Sequence, residues 1–132
     1  MSSPKVFAAV GTALVIFGGT IPTLIVNMFY YLYGPVYRDV LGIIIFGGFL
    51  LWVLGNMFNY FAWRILAGES DRLVGFLFIV SALVHILPII IVAYIILFPL
   101  PFGVAFFELI INSIYVFIAL AYIRVGYGLI RV

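Results

Sequence analysis

The chain has no cysteine and no glutamine, a single lysine, a single histidine and only four acidic residues among its 132. Each scarcity excludes something. Without cysteine there is no disulfide, no thiolate metal site and no thiol nucleophile. One histidine, His85, cannot give bis-histidine haem ligation within a chain, and no histidine–carboxylate set stands at metal-binding spacing. The six basic residues, Lys5, Arg38, Arg64, Arg72, Arg124 and Arg131, occur singly and never as a run. The net charge of +2 is therefore no electrostatic footprint for nucleic acid. No glycine loop leads into a helix in polar surroundings, as a phosphate cradle requires. Neither Ser81 nor Ser113 has neighbours that would prepare a nucleophile. The expectation is a non-enzymatic chain with no metal and no cofactor of its own.

What is abundant is apolar. Hydrophobic residues make up 68% of the chain and charged ones 8%, with a mean hydropathy of +1.43. Soluble domains are about 45–50% apolar and about 25% charged, and a domain this small buries only about two-thirds of its surface. The excess cannot be hidden in a core, so lipid must cover it. The first uncharged run, Val6 to Tyr37, is far longer than a signal-peptide core and reads as a retained span.

Charges and turn residues cut the sequence into four spans of about 6–31, 40–64, 73–97 and 102–124. Tyr33-Gly34-Pro35 ends the first. The polar link Ala67 to Arg72 separates the second from the third. Phe98-Pro99-Leu100-Pro101 interrupts an uncharged stretch too long for one crossing of about 20 residues. The fold expected is an all-α integral membrane protein, a single-domain up-down bundle of four transmembrane helices. One face then carries Lys5, Arg64, Arg72, Arg124 and Arg131, and the other Arg38 alone. That bias puts both termini in the cytoplasm.

Helices one and two echo one another. Ile16-Phe17-Gly18-Gly19 and Asn27-Met28-Phe29 reappear 29 residues later as Ile45-Phe46-Gly47-Gly48 and Asn56-Met57-Phe58. Gly18, Gly19, Gly47, Gly48 and Gly55 are expected to let helices approach closely, and Pro22 to kink the first helix.

Each span also carries a stripe of small or polar residues at spacings of three and four. The stripes are Thr12, Ile16, Thr20, Thr23 and Asn27; Gly48, Trp52, Gly55 and Asn59; Phe78, Ser81, His85 and Pro88; and Glu108, Asn112, Tyr115, Ala119 and Tyr122. Among them His85, Glu108, Asn112 and Asn27 are the candidates for an intramembrane polar cluster. His85 and Asn112 fall near mid-span, with Glu108 about 8 Å outward and Asn27 in the same half. Pro88 has no N–H for the carbonyl of Val84, which leaves an acceptor beside His85. An ionisable group at such depth is a functional candidate. Asn56 and Asn59 read as interhelical hydrogen-bonders and Trp52 as packing or lipid contact.

Three classes of function follow. The first is a structural subunit that packs in a larger, homo-oligomeric membrane-derived assembly, pilin-like or virion-like, or an accessory subunit of a respiratory complex. Its partners are lipid, copies of itself or other membrane subunits. The second is a small oligomeric proton-coupled transporter or channel using Glu108 and His85. Small multidrug-resistance transporters resemble it in span number and length, but Val6 to Tyr31 contains no acid. The third is a membrane anchor that completes a quinone or haem site with a partner subunit.

Overall fold

The computed structural model describes residues 3–34, 38–96 and 102–131, with only the backbone of residues 30, 31, 38, 91–96 and 102–108. The expected break at 98–101 lies outside the described residues. Apart from the link at 66–71, the described residues are helical. The first rod consists of α1 (Ser3–Val15), a π-helical turn over Ile16–Thr20 and α2 (Ile21–Tyr33). The other three are α3 (Arg38–Ile65), α4 (Arg72–Ile96) and α5 (Phe102–Arg131), which continues past Arg124. All four rods are long and apolar enough to cross a membrane.

Helix ends follow from local chemistry. Gly34 and Gly68 take positive φ, 65° and 87°, the left-handed conformation glycine adopts cheaply after a helix. Asp71 caps α4, its Oδ1 accepting from the N–H groups of Leu73 and Val74 at 3.1 and 3.3 Å. The Lys5 ammonium stands 3.7 Å from the Asp71 carboxylate, which places the start of α1 beside the α3–α4 link.

Pro22 acts one turn earlier than a simple kink would. It has no N–H for the carbonyl of Gly18, and the helix widens just before it into the π turn, where Ile21 N–H bonds Ile16 O. The matching segment 45–48 stays α-helical, so the echo between the first two rods is not repeated in their conformation.

The rods form two glycine-sealed pairs. In the first, Gly11 meets Gly55 and Gly18 meets Gly48, so the first rod and α3 run antiparallel. A Cβ on Gly48 would lie 2.5 Å from Gly18 O, and one on Gly55 would lie 2.7 Å from Gly11 O. In the second pair α4 and α5 cross at Gly75 and Gly126, where a Cβ on either would lie 2.6 Å from the other's carbonyl oxygen. Gly19 abuts the Trp52 ring. Gly47, expected in the seam, faces away from it and a Cβ there would meet nothing within 4 Å. The reason is angular: adjacent helical residues point about 100° apart, so Gly47 and Gly48 cannot share one contact.

The pairs join mainly where α1 lies along α4. At that end Ala8, Ala62, Leu66, Val74, Phe78 and Leu129 form a continuous apolar core. Among the described residues α3 and α5 make no extensive backbone contact, and a cleft runs between them.

These seams predict opposite outcomes for neighbouring glycines. Gly48→Ala should lower stability by about 1–3 kcal/mol, the usual cost of overpacking. Gly47→Ala should be neutral or stabilising by up to about 1 kcal/mol through helix propensity. Thermal unfolding of both variants in one detergent, each against the parent, checks the pair.

A candidate site at the waist of the bundle

The residues of the polar stripes turn inward. Thr12, Thr20, Asn59, Ser81, His85 and Asn112 are all buried, with His85 at 1% exposure. Spacing of three and four brings each set onto one helix face, and the glycine seams draw those faces together.

Ser81 is the junction. Its hydroxyl lies 2.8 Å from that of Thr12 on α1 and accepts from Asn59 Nδ2 at 3.5 Å. Asn59 Nδ2 also reaches Tyr122 Oη on α5 at 3.3 Å. The Tyr122 hydroxyl donates in turn to Asn56 Oδ1, and Asn56 Nδ2 donates to Trp52 O at 2.8 Å. Asn59 Oδ1 is buried with no hydrogen-bond partner among the described residues, and a Cβ on Gly11 would lie 2.4 Å from it. One connected network thus spans all four rods.

His85 sits one turn along α4 from Ser81. The indole N–H of Trp52 can only donate, and it points at His85 Nε2 from 3.2 Å. Nε2 is therefore the acceptor, and the ring proton sits on Nδ1, which donates to Ser81 O at 2.6 Å. The two bonds fix a neutral imidazole in one tautomer. Rings close around it: Tyr122 at 5.3 Å, Tyr115 at 5.8 Å and Trp52 at 6.0 Å between centroids. Trp52 meets Tyr115 edge-on at 5.5 Å. Both ring nitrogens are engaged by the protein, so this histidine has no nitrogen left for a ligand. Among the described residues no three of histidine, aspartate and glutamate gather as a metal site would need.

The carbonyl that Pro88 frees is taken by a neighbouring rod. Val84 O accepts from Thr20 Oγ1 at 3.3 Å, so the spare acceptor beside His85 docks the π turn onto α4.

Of the four residues singled out from sequence, three have described side chains, and these stand in two places. His85 belongs to the Ser81–Trp52 network. Asn27 and Asn112 lie instead on a separate chamber of about 410 Å³, with Thr23, Trp52 and Pro88 also in its wall. Asn27 Nδ2 is itself buried and has no hydrogen-bond partner among the described residues. Glu108 is in α5, and its side chain lies outside the described residues. A second, wider space of about 660 Å³ occupies the other end of the α3–α5 cleft, beyond Trp52 and lined by Asn56, Asn59 and Tyr122. Trp52 touches both spaces, and its ring with those of Tyr115 and Tyr122 makes the waist between them.

Compared with protein-family models, with curated proteins and with solved structures, the chain matches none.

Trp52→Phe keeps an aromatic ring but removes the indole donor to His85 Nε2. The expected cost is about 1–3 kcal/mol, that of a buried acceptor left unmet. Imidazole ¹⁵N shifts should show a single Nδ1–H tautomer in the parent and tautomer mixing in the variant. An unchanged pattern would mean that the indole does not set the proton's position.

Proposed function

We propose that the chain is a non-enzymatic, membrane-embedded subunit that works by helix packing in a larger assembly, with both termini on the cytoplasmic side. The observation that carries this reading is the direction of its side chains. The buried polar groups of the waist bond to one another, whereas the described outer faces of α3 and α5 are mostly apolar. Ile43, Phe46, Leu50, Met57, Phe117 and Leu120 all stand at least half exposed. Surface of this kind needs lipid or a neighbouring subunit against it. Close glycine seams and interior hydrogen bonds are the means by which helices associate where hydrophobic burial gives no drive.

A homo-oligomeric element of a membrane-derived structure suits this better than a carrier. His85 is held neutral with both nitrogens bonded, and the cleft is walled mostly by hydrocarbon rather than by groups that would lead an ion across. Glu108→Gln should then leave assembly unchanged, whereas a proton-coupled transporter would lose activity.

Two measurements test the proposal. Native mass in a mild, lipid-like detergent should give a large homogeneous assembly of this chain, and small dimers would argue for the transporter. Orientation can be read on a cysteine-free background. Tyr33→Cys in intact cells should react with a membrane-impermeant maleimide, and Ser70→Cys should react only after the cells are opened. The reverse pattern would sink the assignment of the termini.

A further inference from the structure

The wider space of the α3–α5 cleft has an apolar wall and a charged mouth. Val53 and Met57 of α3 and Ile118, Ala121 and Val125 of α5 line its volume of about 660 Å³, with Phe78 of α4 at the back. The polar atoms in the wall are engaged with one another: the Tyr122 hydroxyl donates to Asn56 Oδ1 and accepts from Asn59 Nδ2. Toward the chain termini the wall ends on Tyr60 and Trp63, residue types that gather at headgroup level in membranes. There an arginine borders each side. Arg64 follows Trp63 on α3 and Arg124 precedes Val125 on α5, and both are exposed. The Arg64 guanidinium carbon stands 6.0 Å from the centre of the Tyr60 ring, which keeps its charge against the wall. Arg124 lies three residues on from Ala121, close to the same face of α5.

These charges lack counter-ions. The acidic residues are Asp39, Glu69, Asp71 and Glu108. Asp39 and Glu108 lie toward the far ends of α3 and α5, and Asp71 is paired with Lys5. Glu69 alone remains against Arg64, Arg72, Arg124 and Arg131, and among the described residues neither Arg64 nor Arg124 stands in an ion pair. Depth adds to the demand. Arg124 is seven residues short of Arg131 at the end of α5, about 10 Å along the axis, and the interfacial layer of a bilayer is only about 5–7 Å thick. With the helix end at the aqueous boundary, an exposed arginine at that level is costly without an anion, and its side chain extends toward the headgroups.

We propose that this space binds an anionic glycerophospholipid from the leaflet on the side of the chain termini, its phosphate between Arg64 and Arg124 and an acyl chain in the cleft toward Trp52. The site rests on the membrane-embedded reading above. Charge selects the occupant. A second copy in the same orientation would bring its own arginines to the same level, where like charges repel. A free phosphate would leave the hydrocarbon wall uncovered. A lipid supplies the anion and the chain together.

The test uses the full chain reconstituted with equal amounts of phosphatidylglycerol and phosphatidylcholine carrying the same acyl chains. Lipid retained after transfer to a mild detergent is counted by native mass spectrometry. The anionic lipid should be retained about twenty-five-fold over the zwitterionic one, about fivefold for each arginine. Arg64→Gln and Arg124→Gln should each cut the preference to about fivefold, and the two together should abolish it. Arg72→Gln removes the same charge at the same end but outside the cleft wall, and should leave the preference within about twofold. Ala121→Trp, which fills the groove and keeps both arginines, should reduce retention of both lipids. Equal retention by the parent, or a loss as large in Arg72→Gln as in Arg64→Gln, would overturn the site while leaving the membrane reading in place. Displacement of the lipid by millimolar inorganic phosphate would do the same. Release of the chain from membranes by alkaline carbonate would overturn both.

Discussion

The hydroxyl contact between Thr12 and Ser81 is where the two halves of the bundle are tied together, and the rest of the architecture depends on it. Within each helix pair, glycines bring backbones close enough for dispersion to hold them. Between the pairs, beside the apolar core at one end, run polar links: Thr12 to Ser81, Thr20 to Val84 O, Asn59 to Ser81, and Trp52 to His85. In apolar surroundings each of these groups would be costly alone, so the pairs satisfy their own interior only by meeting. Such bonds also fix register, because a slide of one turn would leave several of them unmet at once. Ser81 takes part in two of the links directly and in a third through its carbonyl, which orients His85.

Much of this was legible in the residues. The stripes at spacings of three and four named the inward faces, and nearly every member is buried or half-buried. Pro88 announced a free carbonyl at Val84, although not its partner. The pairing of faces was not legible. Periodicity says which side of a helix is polar but not which neighbour it meets, so His85, Asn27 and Asn112 seemed to belong together. In the fold the first joins Trp52 and the others face a different space. Trp52 looked like packing or lipid contact because a lone indole in an apolar run carries no local sign of its acceptor 33 residues away. The seam at Gly75 and Gly126 was missed for a similar reason, since single glycines far apart in sequence do not advertise a shared crossing.

The two prolines inside the rods act at one place. Pro88 gives Val84 O to Thr20, and Pro22 is preceded by the π turn in which Ile21 N–H bonds Ile16 O. The two features meet because Thr20 is the last residue of that turn. The defect in one helix is thereby the docking point for the other, and the lack of a proline N–H becomes a contact instead of a void.

The π turn has a further consequence in terms of phase. It amounts to one residue too many for an α-helical turn, and one residue is worth about 100° of rotation. Below it the first rod presents Gly11 and Thr12 to its neighbours; above it the same rod presents Pro22 and Asn27. Removing a single residue from the turn would restore an unbroken α-helix and swing α2 round by more than a quarter of a circle, carrying Asn27 off the chamber while α1 kept its place. The first rod is thus two helices set at different angles on one axis, and the extra residue is the setting between them.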